Sequence, residues 1–555
     1  MRAAISPVGF IYDRPMRLLQ LVLLVLVSIA IYELLRARAL GALREGLHRR
    51  ARRFAEQHGV RVDLFKFGGK RLVKEELLND LVIHGAMLTA AQAGERPEDV
   101  RRRVEKYVDE IVPAFSLSAY YQVGLKLAAA AVHAAYRPVI DRASRDRLRK
   151  LLPPDATAVF LINHRSNFDY VVVGWALARQ VAVSYAVGEW ARVFPLEVLF
   201  KAFGGFFVRR GFPDPLYHTV LRRYLQLITR QGVTQGIFPE GGLTRDGALR
   251  PPKVGLLEAL LQLASQNAAA TASEPAQAAA RELYFVPVGI NYDRVIEDAA
   301  LLAESRGKSQ PPTPAEKLRG ALRLLLVVPA RMLANLLRAA TGRLHRFGYV
   351  AVAFGEPLRW TDLARARGID LARFAAAPDE ERRAIAKTVA VELMRQIARV
   401  IPATPVPLTA RALLDLEKDG AVSEAQLASR VRELLATLDE RGVFIARGAE
   451  FASTQEGRLA LETDLSRTRD LARLEADLIA LEEAERVVAL GLEHLERRKL
   501  VQVTSSSVAI APGAEARELL EYYARSLASL EDPSAPVTSP FRDESQLPVT
   551  KRSSV

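Results

Sequence analysis

The spacing of apolar residues along this chain changes several times, and each change marks a different kind of structure. From Leu18 to Leu35 the residues are almost continuously apolar, uncharged through Tyr32 and broken by Gln20, Ser28 and Glu33. A membrane span needs about 17–25 such residues, so this stretch sits at the lower limit of a bilayer-crossing helix. Over about 41–150 apolar positions recur at three- and four-residue steps, as at Val73, Leu77, Leu78 and Leu81, which predicts a helical region. Tyr120 to Tyr136, with its alanine run, reads as a packing helix or a second membrane-contacting one. From 151 to 400 short apolar runs alternate with amphipathic segments. The candidate strands are Val159–Ile162, Val181–Ala186, Phe206–Val208, Gly236–Phe238, Tyr284–Ile290 and Val350–Phe354. The expected fold class is therefore an α/β core, a mixed sheet with flanking helices, between helical N-terminal and mostly helical C-terminal regions. From 401 to 530 the helical period returns, with two helix-then-strand units, Val431–Ile445 and Glu493–Ile510, that each read as a winged-helix fragment.

These shifts divide the chain into an N-terminal membrane-anchor segment (1–40), a helical N-terminal domain (41–150), an α/β catalytic domain (151–400), a mostly helical C-terminal domain (401–530) and a disordered tail (531–555) rich in Pro, Ser and charge. Arg36, Arg38, Arg44, Arg49, Arg50, Arg52 and Arg53 follow the anchor against one acid, Glu45, which by the positive-inside rule keeps the catalytic part in the cytoplasm, at the inner (plasma) membrane. A helix lying among the headgroups is the alternative. Ala37-Arg-Ala39 is a poor cleavage site, which disfavours a signal peptide.

Composition narrows the chemistry. With 555 residues, half of them hydrophobic, the chain can build several cores, and its formal charge of +14 suits an anionic partner without choosing among lipid headgroups, phosphorylated metabolites and nucleic acid. There are no cysteines, which excludes thiolate nucleophiles, disulfides and Cys-based metal sites. No metal-like His and carboxylate cluster stands out, and no cofactor is expected. The acids scattered through 401–530 argue against nucleic acid as the partner. Lys317, Arg319, Arg323, Arg331, Arg338, Arg343 and Arg346 share an acid-free, apolar stretch suited to anionic lipid or to packing on the core.

Four blocks carry candidate chemistry. In Asn163-His-Arg-Ser-Asn-Phe-Asp169 a short buried strand ends in a turn that presents His164, a base of near-neutral pKa suited to taking a hydroxyl proton, with Asp169 placed to orient the imidazole. His58 and Asp63 share the spacing but lack the strand and turn. In Gly204-Gly-Phe-Phe-Val-Arg-Arg210 a strand ends in Arg209 and Arg210, whose guanidinium groups suit a phosphate. Strand alternation would set Phe206 and Val208 on one side and Phe207 and Arg209 on the other. In Gly236-Ile-Phe-Pro-Glu-Gly-Gly-Leu-Thr-Arg-Asp-Gly247 a strand runs into a glycine-bearing turn, where Gly241 lets backbone amides approach an anion. Glu240 would orient the hydroxyl substrate or the arginines, while Arg245 and Lys253 would hold phosphate. In Phe285-Val-Pro-Val-Gly-Ile-Asn-Tyr-Asp-Arg294 the strand carries Pro287 and Gly289, unusual in a sheet interior unless a ligand or bend intervenes, and Pro287 is assigned to substrate contact. Taken singly, each block has a plainer reading as a turn, a solvated strand end or a hairpin.

In this order the four blocks resemble the motifs of the glycerol-3-phosphate acyltransferase family, in its large membrane-associated type. Gly348-Tyr-Val to Pro357 and Leu519-Leu-Glu-Tyr-Tyr-Ala524 also resemble family segments. The resemblance implies transfer of a fatty acyl group from acyl-CoA or acyl carrier protein to the 1-hydroxyl of glycerol 3-phosphate. It makes His164 and Asp169 catalytic, and ties Arg209, Arg210, Glu240 and Arg245 to the acceptor's phosphate. The third block departs from the family's Glu-Gly-x-Arg-Ser-Arg, with Leu243 and Thr244 where Arg and Ser are usual. Loss of that guanidinium leaves dihydroxyacetone phosphate or a lysophospholipid as alternative acceptors, and a catalytically silent membrane scaffold as a further alternative. Oligomeric state is not legible in the sequence.

Overall fold

The apolar runs do become strands, and the helical periods surround them. The computed structural model describes residues 69–113, 120, 124–177, 181, 183–188, 200–201, 204–209, 211–273, 281–306, 346–417, 422–447, 483–504 and 507–531. The apolar segment Leu18 to Leu35, Arg210 and the basic stretch from Lys317 to Arg343 lie outside these residues. Among the described residues no helix is long and apolar enough to cross a membrane.

The described residues begin with helices α1 (Gly69–Leu78), α2 (Leu81–Gln92), α3 (Pro97–Ile111) and α4 (Leu125–Ala135). The three-and-four apolar spacing runs from Val73 to Leu81, yet the helix breaks at Asn79. Asp80 caps α2 by accepting from the Val82 and Ile83 amides, so Val73 and Leu77 are buried while Leu81 is 86% exposed. Strand β1 (Arg137–Ile140) and α5 (Arg142–Leu151) follow, so the sheet already begins inside the stretch whose spacing reads as helical. Four residues containing a proline, at a sheet edge, leave no alternation to detect. Next come β2 (Thr157–Ile162), α6 (Asp169–Leu177), β3 (Ser184–Gly188), β4 (Phe206–Val208), α7 (Pro215–Arg230), β5 (Gln235–Ile237), α8 (Gly255–Ser273), β6 (Leu283–Tyr292) and α9 (Asp298–Ser305). The core closes with β7 (Tyr349–Phe354), β8 (Leu358–Arg359), α10 (Trp360–Ala366), α11 (Leu371–Ala376) and α12 (Asp379–Ala398).

The strands form one mixed sheet in the order β1-β7-β6-β2-β5-β3-β4, with β8 also on β6. β6, β2, β5, β3 and β4 run parallel, while β7 is antiparallel to β6. From β2 the chain moves outward to β3 and β4, returns through β5 to β2's side, and then crosses to β6 on the other side. Loops therefore diverge at the carboxyl ends of β2, β5 and β6, where open α/β sheets form their binding crevice. Alternation sorts the core by face. Phe160, Ile162, Val286, Val288 and Ile290 join one cluster, while Val159, Leu161, Leu283 and Phe285 join another with α8 and α12. Both faces are covered, which is why these strands read as unbroken apolar runs.

Pro287 and Gly289 are explained by the chain itself. β6 pairs with β8 through Tyr284 and Phe285 and with β7 from Val288 onward, so Pro287 falls where the partner strand turns and no ladder donor is needed. A Cβ on Gly289 would come within 2.0 Å of the Val400 carbonyl oxygen. The bend gives Pro287 a place in the strand, and the crossing segment requires the missing side chain at position 289.

The C-terminal helices α13 (Pro405–Leu416), α14 (Glu424–Glu440), α15 (Glu483–Arg497) and α16 (Ala514–Ala524), with the hairpin β9 (Val501–Val503) and β10 (Val508–Ile510), share the sheet's first cluster through Leu408, Leu413, Val487 and Leu520. A bridge between Val422 and Val508 completes one winged-helix order spanning both predicted fragments. The inner face of α15 sets Leu490 in a cluster with Val139, Tyr349 and Ala351 of the sheet. Asp293, at the end of β6, accepts from the Tyr349 amide at 2.7 Å and from the Val406 amide at 2.9 Å, tying α13 to the sheet; burial pushes its carboxyl up to about 6.

The Gly289 crossing gives a direct test. Gly289→Ala is expected to lose about 1–3 kcal/mol in denaturant unfolding, because a backbone carbonyl must move to admit the methyl group. A melting curve matching the parent would contradict the close approach.

Candidate active site

Asp169 and His164 meet at the mouth of the crevice. The chain leaves β2 at Ile162, and the Asn163 side chain exchanges hydrogen bonds with the Ile290 backbone, donating at 2.9 Å and accepting at 2.8 Å, so β2 and β6 stay joined one residue beyond the strand. The turn then closes on Asp169, the first residue of α6. Its Oδ2 accepts from the Arg165 amide (2.8 Å), the Ser166 amide (3.0 Å) and His164 Nδ1 (3.0 Å), and its Oδ1 accepts from the Tyr292 hydroxyl at 2.6 Å. A carboxylate surrounded by donors has nothing to give, so the Nδ1–H bond fixes the tautomer and leaves the Nε2 lone pair bare. Nε2 is buried and has no hydrogen-bond partner among the described residues. The ring lies on Phe238, centroids 4.1 Å apart, with Tyr170 edge-on at 5.7 Å. This is the arrangement of a general base with its orienting carboxylate.

Glu240 holds the turn from beneath. It is 1% exposed and accepts from the His164 amide at 2.7 Å and the Arg250 amide at 2.9 Å, and burial pushes its carboxyl up to about 7 against those two bonds. It touches backbone here and orients neither Arg209 nor Arg245. The Thr244 amide donates to the His164 carbonyl at 3.0 Å, and the turn from Thr244 to Ala248 is closed by the Thr244 hydroxyl and Asp246. Gly241 has φ +63° and passes within 2.6 Å of the Lys253 stem, counted from the position of an added Cβ, so its missing side chain serves both the turn and the packing.

Beside the histidine lies a cavity of about 340 Å³. Tyr170 and Phe238, the two rings that hold His164, form part of its wall, and Arg209, Arg222, Lys253 and Arg383 supply positive charge, against one acid, Glu258, which pairs with Arg222 at 3.3 Å. Arg209 and Lys253 thus share the cavity with Gly241, whereas Arg245 and Pro287 do not line it. Arg245 pairs with Glu304 at 3.2 Å on α9, and Pro287 sits in mid-strand with its carbonyl accepting from Gly355. Arg209 is already engaged. Its Nε donates to Glu110 of α3 at 2.7 Å, its Nη2 donates to the same carboxylate, and its guanidinium lies 4.5 Å from the centre of the Phe212 ring. Strand alternation holds from Phe206 to Val208 and ends there. Phe206 and Phe207 enter different clusters, but Arg209 turns back toward Tyr107 and Tyr217 on the Phe206 side. Among the described residues no group of three His, Asp or Glu side chains could hold a metal ion.

Three contributors were not legible as site residues. Tyr292 lies in the fourth block, but only the β2–β6 register brings its hydroxyl to Asp169. Arg165 follows the histidine directly, is 2% exposed, donates Nη1 to the Gly247 carbonyl at 2.9 Å and lies 5.4 Å from the centre of the Tyr522 ring. Arg250 gains its place through Glu240.

The raised Glu240 carboxyl sets a pH dependence. Between the ordinary value of 4.5 and about 7 the folded chain retains a proton that the unfolded chain releases, so this group's contribution to stability falls as pH rises through that window. Glu240→Gln should flatten that part of the stability–pH curve and lose about 1–3 kcal/mol at low pH, since an amide NH₂ cannot accept from one of the two backbone donors. Chemical denaturation at stepped pH would read both; an unchanged slope would exclude the assignment.

Comparison with known proteins agrees with these blocks. Residues 144–291 match the family model described as acyltransferase, and residues 333–490 match the glycerol-3-phosphate acyltransferase C-terminal region, together more than half of the chain. A protein named glycerol-3-phosphate acyltransferase from Aeromonas hydrophila is 29% identical over 322 residues, covering 57% of this chain and 36% of the relative. One of the same name from Alteromonas mediterranea is 25% identical over 414 residues, covering 69% of this chain and 47% of the relative. The chain spans less than half the length of these two curated relatives. The solved 1-acyl-sn-glycerophosphate acyltransferase from Thermotoga maritima overlaps 60% of this chain and 96% of its own at 14% identity and a TM-score of 0.25, too loose a fit to add weight. By its two matched regions and its ordered motif blocks, the chain belongs to the glycerol-3-phosphate acyltransferase family.

Proposed function

We propose that this protein transfers a fatty acyl group from acyl-CoA or acyl carrier protein to the 1-hydroxyl of glycerol 3-phosphate, giving lysophosphatidate for phospholipid synthesis. The observation that carries this reading is the bare, buried Nε2 of His164, with its tautomer fixed by Asp169, beside a cationic cavity. In the reaction His164 takes the hydroxyl proton as the alcohol oxygen attacks the thioester carbonyl. Asp169 stabilises the imidazolium that forms, the tetrahedral intermediate collapses, and the departing thiolate recovers the proton. The chemistry needs no covalent acyl-enzyme. The cavity's mixture of Val187, Leu221 and Leu256 with Arg209 and Lys253 suits a thioester donor that carries both apolar and phosphate groups.

The same reading sets the enzyme on the inner membrane, facing the cytoplasm. It is supported by α2, a helix with no charged residue that exposes Leu81, Val82 and Leu88. A helix apolar on its outer as well as its inner face suits a lipid surface. Leu81→Gln combined with Leu88→Gln should lower the fraction of protein that floats with anionic phospholipid vesicles while leaving the melting temperature in place. Equal flotation of the two proteins would remove this support.

The activity test uses the full chain in phospholipid vesicles, with labelled acyl-CoA or acyl carrier protein and, separately, glycerol 3-phosphate, dihydroxyacetone phosphate or a lysophospholipid. Glycerol 3-phosphate is expected to be the acceptor, and His164→Ala to lower the rate about 10²–10⁴-fold. Turnover of another acceptor alone would reassign the substrate, and the absence of turnover with every pair would favour a silent scaffold.

A further inference from the structure

Besides Asp169 and Glu240, a further carboxylate grips the turn that carries His164, and it takes no part in the proton transfer. Glu297 lies on the loop after β6, one residue before α9. Its Oε2 accepts from the Ser166 hydroxyl at 2.7 Å and its Oε1 accepts from the Asn167 amide at 3.2 Å. The same hydroxyl accepts from the Phe168 amide at 3.0 Å, so donors from Ser166, Asn167 and Phe168 all end on this side chain, directly or through Ser166. Ser166 is fully buried, and a buried hydroxyl that loses its acceptor is destabilising. Glu297 occupies the position from which a side chain ordinarily caps the following helix, yet it makes no such bond to α9. It reaches across to the turn between β2 and α6 instead. Burial, with the charge of Asp169 adding to it, holds its carboxyl above the ordinary range, so the contact is kept against a cost.

The loop that carries Glu297 is itself fixed by the C-terminal layer. The Tyr523 hydroxyl, on α16, donates to Asp298 and accepts from the Val295 amide at 3.2 Å. Arg498, just after α15, pairs with Asp298 at 2.7 Å and donates to the Tyr523 hydroxyl at 2.9 Å. Val295 and Asp298 flank Glu297 on both sides, so its backbone is set by residues more than 200 positions further along the chain. A continuous run of hydrogen bonds thus leads from Tyr523 and Arg498 through Asp298 and Glu297 to the residues between His164 and Asp169.

We propose that Glu297 is a positioning residue for His164, and that Tyr523 and Arg498 of the C-terminal layer act on the base through it. The inference rests on the acyl-transfer reading for what the base does, and it gives the C-terminal helices a part in that reaction. Glu240 holds the His164 amide, Asp169 holds the ring with the Arg165 and Ser166 amides, and Glu297 holds the middle of the turn. Losing Glu297 leaves the partner of the ring present but frees the backbone between the two, so Nε2 shifts relative to the attacking hydroxyl. Substrate contacts are untouched, and the loss falls on the chemical step.

The test compares Glu297→Ala, Glu297→Gln, Tyr523→Phe and the double variant Glu297→Ala with Tyr523→Phe, each as the full chain and below its melting temperature. In acyl transfer to glycerol 3-phosphate, Glu297→Ala is expected to lower kcat about 10- to 100-fold with KM close to the parent. Glu297→Gln, which keeps one acceptor oxygen, should lie between Glu297→Ala and the parent. Tyr523→Phe should lower kcat less, and should add little to Glu297→Ala, because the two act along one path. The second readout needs no turnover. The chain is isotope-labelled at its eight histidines, and the His164 ring signal is identified by its absence from His164→Ala. Its Nδ1 proton should be sharp in the parent and broadened or shifted in Glu297→Ala. A parent kcat, a rise in KM alone, or an unchanged His164 signal in Glu297→Ala would overturn the role of Glu297. Losses that multiply in the double variant would overturn the path through Tyr523. A ring signal that depends on Glu297 in a chain that acylates no acceptor would leave the positioning role standing and remove the acyl-transfer reading.

Discussion

The Asp169 carboxylate is the interaction on which the rest of the site depends. It is fully buried and collects four donors: two backbone amides of its own turn, the His164 ring and the Tyr292 hydroxyl. Each donor arrives by a different structural route. The amides need the turn between β2 and α6, the ring needs the strand to end at Ile162, and the hydroxyl needs β6 in register with β2. A carboxylate without these partners would be expensive to bury, so the sheet's register and the His164 tautomer are enforced by one group.

Glu240 extends that constraint to the neighbouring loop. By accepting from the amides of His164 and Arg250 it joins the turn after β2 to the segment after β5, and it thereby decides where the Arg250 side chain begins. Its position at the carboxyl ends of adjacent parallel strands follows from the sheet order, so His164 and the cationic turn meet through topology rather than through proximity in sequence.

The flanking helical regions take part in the site directly. Glu110 of α3 holds Arg209 at the rim of the cavity. From the other end of the chain, the Tyr522 carbonyl of α16 lies so close to Gly247 that a Cβ there would come within 1.8 Å of it, and its ring underlies Arg165. Arg498 and Tyr523 meet on Asp298 at the start of α9, which binds the same C-terminal layer to the loop after β6. The mixed sheet, the N-terminal helices and the C-terminal helices therefore share contacts with the same few loops.

The sequence by itself determined six of the sheet's strands, β2 to β7, because strands buried on both faces leave short apolar runs that no helix period explains. It also determined the His164 and Asp169 pair, because that contact is local and its geometry is set within one turn. It did not yield β1, whose four edge residues carry no pattern, or the break at Asn79, where the apolar spacing continues across a helix end. The charged residues divided along the same line. Which arginine is free and which is neutralised depends on carboxylates far away in sequence, Glu110 for Arg209 and Glu304 for Arg245, and the motif contains neither. Pro287 read as a ligand contact because its strand looked interrupted, whereas the interruption lies in its partner, at the turn from β7 to β8. Local chemistry was legible because it is encoded within a few residues; pairing across the sheet and between layers was decided only by the tertiary structure, because it depends on register and on which loops the topology brings together.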